Sequence, residues 1–210
     1  MILGVIEFEN TALTEATQQM LTFARGMATN SGLELAALVI GGDETAGLAE
    51  ELGKYGVSKV VRAGDEQLKD YAPVAWAKIV SQAMANYSAK IVMAAGTDRG
   101  NEVMAHLGAI SNLPMAANCS AVSANDTVRV TRFRWGSSLL EEAVVKGKPC
   151  LLTIAPHVIE ALEAEQAVQP VVESLSPQLT ENDLLVRLVR RESDEAEGVT
   201  LKTATVVVGG

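Results

Sequence analysis

The sequence predicts an α/β protein in three layers: a mostly parallel sheet with helices on both faces, extended toward the C-terminus by antiparallel strands. Three observations carry that reading. Up to Pro114, short β-branched apolar runs alternate with segments of three- and four-residue apolar spacing, and such alternation closes through right-handed crossovers onto a parallel sheet. Hydrophobic residues make up 48% of the 210-residue chain but aromatics only 4%, so the core is built from Ala, Val, Leu, Ile and Met, which let helices pack closely on a sheet. After Pro114 the extended candidates follow one another without full-length helices between them, as antiparallel neighbours allow.

Taken in order, Ile2, Leu3, Val5 and Ile6 form the kind of apolar run that a strand buried on both faces requires. Asn10 or Thr11 then caps a helix marked by Leu13, Ala16, Met20, Leu21, Ala24 and Met27, ending near Ser31-Gly32. Residues 35–40, closed by Gly41-Gly42, are a second strand, 46–52 a second helix and 57–61 a third strand. Val74, Ala77, Ile79, Val80 and Met84 predict a helix over 73–85, residues 91–95 a strand, and Asp98 a cap for a helix over 101–110. Residues 116–122, 127–133, 139–146 and 150–154 are the extended candidates of the antiparallel addition. Residues 156–177 are acidic and proline-spaced, a wrapping segment or linker with a short helical turn at 158–165. Residues 184–189 and 204–208 supply two further strands around a solvated charge cluster at 190–197. The expected organisation is an α/β domain over 1–155, followed over 156–210 by a linker and extra strands that complete the sheet.

Charge and motif content exclude several functions. With 26 acidic against 17 basic side chains the net charge is −9, the wrong sign for attracting nucleic-acid phosphates or anionic lipid. The N-terminus runs into Glu7 and Glu9 with neither a basic start nor a long apolar stretch, so no secretory signal or membrane span is read there and a cytoplasmic location is expected. Cys119 and Cys150 lack metal or redox spacing and are expected as reduced thiols near or inside the core. His106 and His157 have no further ligand near them in sequence, so neither makes a metal site. Glu141 and Glu142 are neighbours on a strand, point to opposite faces and cannot converge on one bond. G-x-S-x-G, P-loop and G-x-G-x-x-G motifs are absent, and no catalytic residue is identifiable.

One loop stands out. Gly96-Thr97-Asp98-Arg99-Gly100-Asn101 follows a strand and opens a helix, the place where open α/β sheets bind ligands and helix N-termini favour anions. Gly96 and Gly100 permit close backbone approach, Thr97 and Asn101 offer hydrogen bonds, and Arg99 suits a phosphate, whereas Asp98 opposes one. A free-standing adenine-nucleotide-binding module using this loop is therefore one functional reading. Gly41-Gly42-Asp43-Glu44 holds a similar position, but its two acids repel phosphate and suit a turn with a helix cap.

The other reading comes from resemblance. Leu184-Leu185-Val186-Arg187-Leu188-Val189-Arg190-Arg191-Glu192, an acidic gap and Ala204-Thr205-Val206-Val207-Val208-Gly209-Gly210 resemble a segment of the electron transfer flavoprotein α subunit. Val57-Ser58-Lys59-Val60, the Ala94 to Glu102 loop leading into Ala105 and Leu107, and Gly147-Lys148-Pro149-Cys150-Leu151-Leu152-Thr153 are similar in order and spacing. The resemblance covers essentially the whole chain. It implies a non-catalytic N-terminal domain whose fold is also that of adenine nucleotide α-hydrolase-like proteins. That domain pairs with a β subunit, and the heterodimer carries electrons through FAD from an acyl-CoA or other dehydrogenase to an acceptor. Most FAD contacts are then expected beyond Gly210, with weak or no FAD binding by this chain alone. The family's β subunit, similar in fold, holds AMP with the corresponding loop, and the α subunit is not expected to. Arg132 to Gly136 resembles the family's Arg-x-x-x-Gly stretch, which makes Arg132, Trp135 and Gly136 interface candidates. Two positions depart from the family pattern: Ala155 stands where an Arg is usual and Asn118 where an acid is.

Overall fold

A computed structural model describes residues 1–64, 68, 70–124, 127–189, 199 and 204–209. The chain opens with β1 (Ile2–Val5), a two-stranded hairpin of β2 (Phe8–Glu9) and β3 (Ala12–Leu13), and α1 (Glu15–Ser31). Then come β4 (Leu35–Gly41), α2 (Leu48–Lys54), β5 (Lys59–Gly64), α3 (Pro73–Asn86), β6 (Ile91–Ala95) and α4 (Asp98–Ser111). The remaining strands are β7 (Met115–Ala124), β8 (Val128–Arg134), β9 (Leu139–Val145), β10 (Cys150–Ile154) and β11 (Val171–Ser174). Nine strands form one sheet in the order β11-β5-β4-β1-β6-β10-β7-β8-β9. Pairing is parallel from β11 across to β7 and antiparallel at β7–β8 and β8–β9.

Period-two alternation explains the layering. On β1, Ile2 enters one core with Met20 and Leu21 of α1, while Leu3 and Val5 enter the other with Ile79 of α3 and Leu107 of α4. The three-layer expectation therefore holds, with helices burying both faces of the sheet.

Four local expectations are corrected. Asn10 and Thr11 do not cap α1. Both have left-handed φ in the β2–β3 turn (48° and 65°), and the cap is Thr14, whose hydroxyl accepts from the Thr17 amide. Likewise Thr97, not Asp98, caps α4, accepting from the Gly100 amide at 2.9 Å. Cys150–Ile154 does not join the antiparallel addition: β10 inserts between β6 and β7, parallel to both. All five of its residues are buried, which suits an interior parallel position. Finally, residues 184–189 form no strand. Leu184 closes a 3-10 turn (Glu181–Leu184) held by a capping box between Thr180 and Asp183. The described residues of 204–208 form no strand either and are largely exposed. The charge cluster at 190–197 lies outside the described residues.

Residues 156–177 do wrap the domain, but without the helical turn at 158–165. Their backbone groups are satisfied by neighbours instead. The Leu162 amide donates to Thr22 Oγ1 at 3.0 Å, Arg25 Nη2 donates to the Leu162 carbonyl at 2.9 Å, and the Val168 amide donates to the Gly53 carbonyl at 3.0 Å. Gly53 is needed for that approach, since a Cβ there would lie 2.1 Å from the Val168 carbonyl oxygen. The segment then supplies β11, an edge strand on β5 that the sequence reading missed. No helix among the described residues is long and apolar enough to cross a membrane.

The end of the wrap is pinned to α3 by Asp183, which pairs with Lys78 at 2.7 Å and accepts from the Thr180 amide and hydroxyl at 2.8 Å each. Burial pushes this carboxyl up, but the Lys78 and Thr180 bonds together outweigh burial and hold it below its ordinary value. Its stabilisation is thus present above the unfolded carboxyl pKa and lost as pH falls through the folded one. Asp183→Asn is expected to cost about 1–3 kcal/mol near neutral pH. In urea titrations the difference from the parent should shrink as pH is lowered towards about 2.

Candidate functional site

The switch point of the sheet lies between β1 and β6: from β1 the chain builds outward through β4 and β5, then crosses back to β6 on the other side. Loops leaving the carboxyl ends of these two strands diverge and open the crevice where doubly wound folds bind ligands. Glu7 follows β1 there, and Thr97 to Asn101 head α4 facing it.

Glu7 is 9% exposed. Thr97 Oγ1 donates to its Oε1 at 2.5 Å, and the Gly100 amide also supports the carboxylate. Its backbone is clamped by Thr17, whose hydroxyl donates to the Glu7 carbonyl at 2.9 Å. Gly100 makes this geometry possible, because a Cβ there would stand 2.0 Å from the Ala95 carbonyl oxygen and 2.9 Å from Glu7 Oε1. The anion position at the α4 N-terminus is therefore taken by the chain's own side chain. Burial pushes the Glu7 carboxyl above its ordinary value, opposed by the Thr97 bond and the Arg99 charge.

Arg99 lies beside an aromatic ring. Its guanidinium lies 5.3 Å from the Tyr71 ring centroid, and Tyr71 meets Trp76 edge-on at 5.3 Å. The Tyr71 hydroxyl donates to Glu102 Oε2 at 2.7 Å; burial first, then Glu102, raises its pKa. Glu7, Tyr71, Trp76 and Arg99 line a cavity of about 370 Å³.

Asn101 is likewise engaged. Its Nδ2 donates to Asn118 Oδ1 at 3.2 Å, and its Oδ1 accepts from Thr153 Oγ1 at 2.7 Å. Thr153 Oγ1 in turn accepts from the Asn118 amide at 2.8 Å. Gly96 lies against the same group, where a Cβ would stand 2.7 Å from Asn118 Oδ1. This neutral network ties the head of α4 to β7 and β10, and Ala155 continues it with its amide on the Cys119 carbonyl at 3.0 Å. The five candidate residues Gly96, Thr97, Arg99, Gly100 and Asn101 thus come together, but their polar groups face other parts of the chain. A phosphate placed at this loop would stand beside the Glu7 carboxylate, whose charge opposes it.

The interface candidates lie on the β8–β9 hairpin. Trp135, Gly136 and Ser137 turn its tip through three consecutive left-handed φ values (53°, 58° and 69°), and Trp135 is 81% exposed. Below the tip, Arg132 and Arg134 grip Glu141 at 3.0 and 3.2 Å, and the Arg132 bond holds the Glu141 carboxyl below its ordinary value. Between the tip and the ends of β7 and β10 runs a cleft of about 560 Å³ lined by Asn118, Phe133, Trp135 and His157.

Cys119 and Cys150 are buried and free, with burial pushing the Cys119 thiol up to about 12. His157 donates its amide to Gln19 Oε1 at 2.8 Å. Among the described residues no three His, Cys, Asp or Glu side chains are grouped to hold a metal ion. Sequence reasoning missed Glu7 and Tyr71; the one available signal was an acid placed directly after the first apolar run.

Fold and site together define a doubly wound α/β domain whose switch-point crevice holds the chain's own carboxylate at the head of α4. Residues 2–179 match the electron transfer flavoprotein domain, and the chain belongs to that family. It is 26% identical over 202 residues to the electron transfer flavoprotein subunit alpha of Megasphaera elsdenii, covering 94% of this chain and 60% of that protein. Protein FixB of Bradyrhizobium diazoefficiens is 27% identical, with 98% and 57% covered. The acryloyl-CoA reductase electron transfer subunit beta of Anaerotignum propionicum is 22% identical, with 90% and 59% covered. The chain thus spans less than two thirds of the length of these curated relatives.

Two substitutions test the site. A carboxyl raised by burial contributes stability that is full below its unfolded pKa and is lost as pH rises through the folded one. Glu7→Gln, which keeps an acceptor for Thr97, should therefore gain stability relative to the parent as pH rises above the ordinary carboxyl range in thermal melts; a difference that stays constant as pH rises would contradict the burial argument. Gly100→Ala should cost about 1–3 kcal/mol, or more, by forcing α4 away from β6, read from denaturant midpoints.

Proposed function

We propose that this chain is the N-terminal platform domain of an electron transfer flavoprotein α subunit, docking a β subunit through the β8–β9 arm and the adjoining carboxyl edge. The observation that carries the reading is the Glu7 carboxylate at the head of α4: it takes the anion position of the switch-point crevice and leaves the exposed Trp135 tip as the available recognition surface. Family membership and relatives named as α subunits support it. In the assembled flavoprotein FAD is held outside the Gly96 to Asn101 loop, and residues 156–210 connect the platform at 1–155 toward the flavin-binding part. The flavin supplies one- and two-electron chemistry when bound, and this domain contributes position rather than reacting groups. Electrons come from an acyl-CoA or other dehydrogenase. A cytoplasmic location agrees with two reduced, buried thiols.

Co-expression with a β subunit tests docking. Trp135→Ala should weaken association by about tenfold or more, as loss of a central aromatic anchor does, while leaving the chain's circular dichroism unchanged. Calorimetry of the chain alone with AMP should be silent. Micromolar AMP binding that disappears in Arg99→Ala would overturn the platform reading in favour of a nucleotide-binding module.

A further inference from the structure

The opposite, amino-terminal edge of the sheet carries a second feature. There a cavity of about 830 Å³ lies between the C-terminal ends of α1 and α3, the starts of β6 and β10, and the base of the β7–β9 arm. Its floor is apolar: Leu33, Met84, Ile91, Val128, Val145 and Cys150. Three of the chain's eight lysines, Lys90, Lys146 and Lys148, converge on its rim, and all three are exposed. Among the described residues none of them is in an ion pair, and no acidic side chain lines the cavity.

The lysines are not spent on the neighbouring helix ends. Neither α1 nor α3 has a basic residue in its last turn. Their terminal carbonyls are closed by the chain itself, with the Leu33 amide on Ala28 and the Ala89 amide on Met84, each at 3.0 Å. The rim is also anchored: the Cys150 amide donates to the Lys90 carbonyl at 3.0 Å, and Cys150 Sγ donates to the Gly147 carbonyl at 2.9 Å.

We propose that this cavity binds an aliphatic carboxylate, its chain on the apolar floor and its head group among Lys90, Lys146 and Lys148. The volume falls in the range of small-molecule sites, about 300–1,000 Å³. An apolar floor gains from burying the chain, and ammonium groups at the mouth favour an anionic head over a neutral or cationic one. The site lies at the edge opposite Trp135 and does not rest on the docking reading.

Displacement of the fluorescent anion 1-anilinonaphthalene-8-sulfonate from the purified chain provides the test, with dodecanoate, dodecanol and dodecylamine as competitors of equal chain length. Dodecanoate should displace the probe at about tenfold lower concentration than dodecylamine, and less well at high salt. The Lys146→Gln/Lys148→Gln pair should weaken dodecanoate by about fivefold or more without changing the far-ultraviolet circular dichroism. Ala85→Trp, at an exposed position on the α3 wall, should block binding. Amide shifts in NMR spectra should cluster at Ala89, Val128 and Gly147. Equal displacement by dodecanoate and dodecylamine, unchanged affinity in the lysine pair, or shifts confined to the Trp135 arm would overturn the proposal.

Discussion

β1 is hydrogen-bonded on both sides, pairing Ile2 with Leu35 of β4 and with Ile91 of β6, so neither its edges nor its faces reach water. A four-residue strand buried on every side needs a helix over each face, and the side chains of Ile2, Leu3 and Val5 divide between those two cores. Gly4 lets α1 settle on the strand, with Met20 Cε 3.4 Å from where its Cβ would be. The chain leaving β1 then emerges directly into the switch-point crevice, and Glu7 is the residue it delivers there.

A carboxylate in that position must be paired or pay a large desolvation cost. Thr97, the Gly100 amide and the Arg99 charge meet the need, and all three belong to the head of α4. The interaction locks β1 to α4 across the crevice and uses the groups a nucleotide phosphate would require.

The central helices and strands were legible because their apolar spacing reports burial directly. The 91–95 and 150–154 strands matched residue for residue, and Gly32 ends α1 in the left-handed conformation its identity favours. The position of β10 was not legible: an apolar pentapeptide says that both faces are buried, but not that the chain turns back from an antiparallel hairpin to lie parallel between β6 and β7. β11 escaped because its four residues are half-exposed and gain their pairing only from β5. Thr14 replaced Asn10 as the α1 cap because residues 10 and 11 were taken by a hairpin turn, a competition between two local uses of the same residue types.

The loop at 96–101 shows the same division. Its glycines, Thr97 and Arg99 were identifiable as a set suited to an anion, since residue type fixes which hydrogen bonds and charges a loop can offer. Which anion it meets was decided by Glu7, ninety residues away in sequence from Thr97. The sequence by itself determined the α/β class, the two-faced core and the chemical character of each loop, because these follow from periodicity and residue type within a short window. Only the tertiary structure decided that Glu7, Arg99 with Tyr71, and Asn101 with Thr153 satisfy one another, because the free energy of a buried charge depends on groups brought beside it by the fold.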